Sequence, residues 1–264
     1  MHNLNVTLIQ CELAWEQPAD NRRQIGAMID QLGANTDTGK DAGTDLIVLP
    51  EMFTTGFSMN ALANAEEPGG ATQQWLLDVA RDKNCAITGS IAVHDNGGVY
   101  NRMLFATPGG VEHYDKRHLF RMAGEHRRYQ SGSERVIVSW RDWRINLQVC
   151  YDLRFPVFSR NRDDYDLMLY VANWPAVRRL HWRQLLIARA IENQACVVGV
   201  NRIGEDATGL DYSGDSLAIA GDGELLLDME NEKGAARVIL DGTALHNYRA
   251  GFPCQADADD FRLE

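Results

Sequence analysis

Two hydrophobic periods run through the chain. Leu4, Val6 and Leu8 alternate with polar residues, which predicts a first strand. Ile25, Met28, Ile29 and Leu32 then fall at i, i+3, i+4 and i+7, one face of a helix, with Asp20 as its cap and Gly33 as its stop. The Gly-rich polar run 34–44 predicts a loop. Leu46-Ile47-Val48-Leu49 is apolar without a break, the pattern of a strand buried on both faces. Periodicity fades after Pro50-Glu51, so 52–70 is expected to be irregular. A second helix, capped by Thr72, turns Trp75, Leu76, Val79 and Ala80 inward.

Strands follow at 86–91, 103–107 and 111–114, with turns at Asp95-Asn96-Gly97-Gly98 and Pro108-Gly109-Gly110. A polar loop covers 115–132. Further strands are predicted at 136–140, 144–149 and 167–171, the second of these ending against Cys150, and Pro156 suits the start of a helix. The helix 178–193 carries Leu180, Leu185, Leu186, Ile187, Ala190 and Ile191 around most of its surface, which predicts burial on more than one side. Strands at 196–200, 217–220, 223–228 and 235–240 complete a β-rich end, and an irregular acidic tail begins near 250. Strands and helices alternate with hairpins among them, and no repeat or linker divides the chain. One α/β domain with mixed sheets, residues 1–264, is the expected organisation.

Charge and composition narrow the function. The formal net charge is −11, which disfavours nucleic acid and anionic membrane as partners, since phosphate binding needs a basic patch. No apolar run is long enough to span a bilayer, and the first residues lack a basic segment followed by a long apolar one, so neither a membrane helix nor a signal peptide is expected. Cys11, Cys85, Cys150, Cys196 and Cys254 are widely spaced and odd in number, which fits neither a disulfide framework nor a zinc site and suits a reducing cytoplasm. No Gly-x-Gly-x-x-Gly, P-loop or His-Glu-x-x-His motif occurs, so no nucleotide cofactor and no metal is expected.

Three predicted strands end in residues that do not belong in a core: Glu51, Lys116 and Cys150. Sites in α/β folds gather at the carboxyl ends of strands. A cysteine is mostly protonated at neutral pH and needs a base or a nearby cation. A carboxylate can take its proton and later pass it to a leaving amine. A protonated lysine, with the backbone N–H of Tyr151, can hold an oxyanion. Each residue also has a structural reading: Cys150 as a small core hydrophobe, Glu51 as a surface acid, Lys116 as one member of a solvated charge cluster. His118 and His126 keep a Cys–His pairing open.

Leu49-Pro50-Glu51, Tyr114-Asp115-Lys116-Arg117-His118-Leu119-Phe120 and Cys150-Tyr151-Asp152-Leu153-Arg154-Phe155-Pro156 resemble, in order, the three signature blocks of the nitrilase (carbon–nitrogen hydrolase) superfamily. Ala172-Asn173-Trp174-Pro175 and Ala188-Arg189-Ala190-Ile191-Glu192-Asn193 resemble two flanking segments, and the likeness runs from Val6 to about Leu240. It implies a four-layer α-β-β-α sandwich that pairs through helices of one layer, a Glu51-Lys116-Cys150 triad working without a cofactor, and a second glutamate, matched by position to Glu125, that holds Lys116 and the substrate amide. The forms of the cysteine, Met52-Phe53-Thr54-Thr55-Gly56-Phe57 and Ala-Asn-Trp-Pro blocks are most similar to bacterial omega-amidases, which implies a small carboxylate-bearing monoamide as substrate and a homodimer or larger homo-oligomer. A substrate carboxylate wants an arginine, and Arg154 is placed to supply it unless it pairs instead with Asp152 or Glu125. Trp174, Phe57 and Asn173 are the remaining candidates for the pocket. Hydrolysis of nitriles or N-carbamoyl amino acids by the same triad, a non-enzymatic binding module and a thiol redox protein are the alternatives.

Overall fold

The computed structural model describes residues 1–32 and 43–263. Its strands and helices in chain order are β1 (Leu4–Gln10), α1 (Pro18–Gln31), β2 (Leu46–Val48), α2 (Ala61–Asn64), α3 (Ala71–Lys83), β3 (Ala86–Asp95), β4 (Gly98–Thr107), β5 (Gly110–Asp115), β6 (Ile137–Trp140), β7 (Trp143–Val149), α4 (Pro156–Ser159), β8 (Leu167–Ala172), α5 (Arg179–Asn193), β9 (Cys196–Asn201), β10 (Ile203–Glu205), β11 (Asp211–Ser213), β12 (Leu217–Ile219), β13 (Leu225–Asp228), β14 (Gly234–Leu240) and α6 (Gly242–Gly251). Two six-stranded sheets form, in the orders β14-β1-β2-β3-β4-β5 and β13-β12-β9-β8-β7-β6. Each has a parallel centre, β1-β2-β3 in one and β7-β8-β9 in the other, flanked by antiparallel strands.

Side-chain alternation explains the layers. Leu46 and Val48 point into the space between the sheets, where they meet Leu147, Leu167 and Leu169; Ile47 and Leu49 point the other way, onto Ile25 and Ile29 of α1 and Leu76 and Ala80 of α3. The unbroken apolar run of β2 is therefore buried on both faces. On the far side of the second sheet, α5 packs with Trp182, Leu186 and Ala190, and α6 with Leu245. The result is the four-layer α-β-β-α sandwich. Strand β14 closes the first sheet against β1, with Leu4 opposite Leu240. No helix among the described residues is long and apolar enough to cross a membrane.

The turn Asn96-Gly97 joins β3 to β4 with both residues at positive φ, 49° and 78°, the geometry of a two-residue hairpin. Several boundaries differ from expectation. Pro18 occupies the first position of α1, so Asp20 lies inside the first turn rather than capping it; Gly33 and most of the predicted loop, 34–42, lie outside the described residues. Gly70, not Thr72, precedes α3, and the side chain that serves its free N–H groups is Glu66, which accepts from Thr72 N at 2.7 Å. Helix α5 begins at Arg179 after a 3₁₀ turn over Ala176–Arg178, and it is not buried on two sides within the chain. Its inward stripe is Trp182, Leu186, Arg189, Ala190 and Asn193, whereas Leu180 is 64% and Ile191 49% exposed. Helix α6 was unexpected. So was the order in the tail, which folds back on its own chain: Gln194 Nε2 donates to Phe252 O at 2.7 Å and the Arg162 guanidinium lies over the Phe261 ring.

Candidate active site

In both sheets the central strands run so that their carboxyl ends meet at one edge of the sandwich. Glu51 follows β2, Lys116 follows β5, Cys150 follows β7 and Asn173 follows β8. Sequence placed Glu51, Lys116, Cys150 and Glu125 apart; the fold brings them together with their side chains almost wholly buried.

Lys116 Nζ donates to Glu51 Oε1 at 2.8 Å and to Glu125 Oε1 and Oε2 at 3.0 and 3.1 Å. It also stands over the Phe57 ring, 5.2 Å from its centre. Asn101 of β4 donates from Nδ2 to Glu51 at 2.8 Å and to Glu125 at 3.3 Å, so one amide spans both carboxylates. Glu51 Oε2 accepts from Asn173 N at 2.8 Å, and Glu125 Oε2 accepts from Phe120 N at 2.5 Å. Burial works against the lysine's charge, but Glu125 and Glu51 outweigh it and hold the Lys116 pKa above the ordinary value. Burial raises the Glu125 carboxyl, with Lys116 pulling the other way and Glu51 adding to the rise.

Cys150 occupies a sharp bend at φ 45°, where β7 turns into a 3₁₀ helix over Cys150–Arg154. That left-handed conformation is uncommon outside glycine and marks residues held by their surroundings. Its Sγ lies 3.9 Å from Asn173 O. Burial, then the Glu51 carboxylate within hydrogen-bonding reach, pushes the thiol well above its ordinary pKa, against the pull of Lys116. The resting group is a thiol, and it needs a proton acceptor to react. Tyr151 is the second residue of the 3₁₀ turn, so its N–H has no partner inside that turn and is free to serve a ligand.

Asp152 fixes this bend to the lysine loop. Its two oxygens accept from Tyr114 OH at 2.8 Å, Val149 N at 2.9 Å and His118 N at 2.9 Å, and Oδ1 lies 2.7 Å from His118 Nδ1. Here the Cys–His alternative loses its geometry: the His118 ring is spent on Asp152 and stacks on Phe155 with ring centres 3.9 Å apart. Among the described residues no histidine contacts Cys150.

A cleft partly open to solvent leads down to Cys150 and Lys116. Phe57, Trp174 and Asn173 line it, and the Asn173 side chain is already engaged, donating from Nδ2 to Glu51 O at 2.6 Å. Arg154 also lines it. Asp152 and Glu125 are both occupied by other groups, and among the described residues Arg154 has no carboxylate partner. Its guanidinium stacks over Trp174, 4.6 Å from the ring centre, and its Nη2 meets His181 Nδ1 at 3.1 Å. Asn101, Phe120, Tyr212 and Arg178 were missed from sequence. Asn101 sits mid-strand on β4 with no local mark. Arg178 read as the first residue of a helix; the Pro175 just ahead of it was the one hint that the chain turns there.

An acid–ammonium–thiol cluster at the floor of a cleft in an α-β-β-α sandwich defines a class of hydrolase, and comparison agrees. Residues 5–241 match the Carbon-nitrogen hydrolase family model, and the chain belongs to that family; it is a hydrolase acting on amides. Among its relatives, omega-amidase YafV of Escherichia coli (strain K12) is 48% identical over 100% of both chains, and 2-oxoglutaramate amidase of Bacillus subtilis (strain 168) is 32% identical over 98% of each. A CN-hydrolase superfamily protein of Xanthomonas campestris, solved with an arsenic adduct in its active site, superposes with a TM-score of 0.95 at 45% identity, again over 100% of both chains.

Proposed function

We propose that the protein is an omega-amidase that releases ammonia from a small monoamide of a dicarboxylic acid, of the 2-oxoglutaramate or 2-oxosuccinamate kind, through a thioester on Cys150. The observation that carries the substrate class is Arg154, a half-buried guanidinium facing the cleft with no carboxylate partner among the described residues. The names of the relatives above support the same substrates.

The reaction follows from the cluster. Glu51 accepts the thiol proton as Sγ attacks the amide carbon. Negative charge on the amide oxygen is held by Lys116 and the Tyr151 N–H; one such donor is worth about 2.7–4 kcal/mol in the transition state. Glu51 returns the proton to the nitrogen, the C–N bond breaks, and ammonia leaves a thioester. Water then attacks that thioester, giving its proton to Glu51, and the acid departs as the thiol is restored. Glu125 keeps Lys116 charged and in place and contacts the substrate amide. Lys116 stands between two carboxylates, so its single charge offsets only one of theirs.

We also infer that copies pair through α5, whose Leu180 and Ile191 are exposed in the single chain. The five free thiols suit a reducing cytoplasm.

The test is ammonia release from monoamides, nitriles and N-carbamoyl amino acids, with Cys150→Ala as control. Carboxylate-bearing amides should be turned over and the control should be silent. Turnover of nitriles alone, or full activity in the control, would overturn the assignment.

A further inference from the structure

Arg178 ends the 3₁₀ turn before α5 and lines the same cleft, its guanidinium over the Phe120 ring at 5.6 Å from the centre. Among the described residues it has no hydrogen-bonding or ion-pair partner for that group, and neither does Arg154 have an acidic one. The two cations feel each other: after burial, Arg178 is the group that most lowers the Arg154 pKa. The chain carries 37 acidic residues against 26 lysines and arginines. Leaving two neighbouring guanidinium groups unneutralised in so acidic a protein is unfavourable unless something anionic enters between them. Trp174, over which the Arg154 guanidinium stacks, is 3% exposed and gives its Nε1–H to Arg178 O at 2.8 Å, so one buried ring touches both arginine residues.

We propose that Arg178 is a second specificity-determining residue, forming with Arg154 a doubly cationic rim that selects amides whose far end is anionic and rejects amides bearing a 2-ammonium group. This rests on the omega-amidase reading and narrows it. One guanidinium saturates one carboxylate by a bidentate contact. The second therefore faces the carbon beside that carboxylate. A 2-oxo oxygen there accepts a hydrogen bond from it. An ammonium there, as in glutamine or asparagine, meets a like charge in a half-buried site. The rim thus admits 2-oxo acid amides and plain dicarboxylic monoamides while excluding the zwitterionic amides of the same length.

The experiment measures kcat/KM for succinamate against butyramide, and for glutaramate against glutamine, in the wild-type enzyme and in Arg178→Gln and Arg178→Lys. The glutamine variant should lose on the order of tenfold to a hundredfold of the succinamate preference, the range expected for one charged hydrogen-bond partner, and its discrimination against glutamine should shrink. The lysine variant, which keeps the charge, should retain most of both. Unchanged ratios in Arg178→Gln would overturn the proposal, as would equal losses in the two variants. A wild-type enzyme inactive on every carboxylate-bearing amide would instead bring down the omega-amidase reading, and this proposal with it.

Discussion

Replacing Lys116 by methionine should steepen the loss of stability with rising pH that the raised Glu125 carboxyl already imposes on the folded protein. The substitution nearly preserves volume and removes a charge that bonds to Glu51 at 2.8 Å and Glu125 at 3.0 Å, all three side chains being fully buried. Breaking a buried ion pair from one side costs about 3–5 kcal/mol, or roughly 6–20 °C in Tm for a chain of this size. The sign with pH follows from protons bound. In the wild type the Lys116 pKa is raised, so its stabilisation is complete below the ordinary value of 10.5 and is lost only as pH climbs through the raised one. In the variant the lysine no longer pulls Glu125 down, while burial and Glu51 still push it up. The folded state then holds a proton that the unfolded chain releases above its ordinary carboxyl pKa of 4.5. Stability must fall as pH rises from that value to the raised one, by up to about 1.4 kcal/mol per pH unit. Urea melts of both proteins between about pH 5 and about pH 8 measure this. The difference should widen toward the alkaline end, and adding Glu125→Gln should flatten it. A pH-independent difference in the single variant, or an undiminished slope in the double variant, would refute the reasoning.

Two further outcomes follow from the architecture around the site. Asp152→Asn cannot accept from Tyr114 OH, Val149 N and both His118 groups at once, so the cysteine bend drifts from the lysine loop: kcat should fall by about a hundredfold with KM near that of the wild type, and a steady-state comparison showing equal kcat would count against that role. Gly132→Ala would put a Cβ 2.1 Å from Asp115 O, a backbone atom next to Lys116. The cost should be about 1–3 kcal/mol, read as a lowered denaturant midpoint, and an unmoved midpoint would show that the strand end can yield.

What could be read before any coordinates were known divides by the range of the interactions. The β2 run and the Asn96-Gly97 hairpin rest on local period and turn chemistry, and they held; the three strand-end residues rest on the same local signals, and the fold gathers them into one cluster. The inward face of α5 did not, because its apolar residues exceed what one sheet can cover: Trp182 and Leu186 meet the sheet while Leu180 points away. Helix α6 buries little beyond Gly242 and Leu245, so its period is faint; the better signal was Asp241, whose Oδ1 caps Ala244 N at 2.8 Å. Asn101 carries no local mark, and Arg178 only the turn signal of Pro175 three residues ahead of it. One sits mid-strand and the other in an ordinary helix-entry sequence, and only the stacking of two sheets and a 3₁₀ turn aim them at the cleft.

The pairing of β1 with β14 also sets a schedule for synthesis. Leu4 leaves the ribosome long before its partner Leu240. At about 5–20 residues per second the first strand waits on the order of ten to fifty seconds, with the edge that β14 will cover left open. An open apolar edge is a place for another chain to add. Sheet one can assemble β1 to β5 early, yet it stays unsealed until β14, at residues 234–240, has been made. During that interval the nascent protein is most dependent on chaperones, and slowing translation late in the message should lower its soluble yield more than slowing it early.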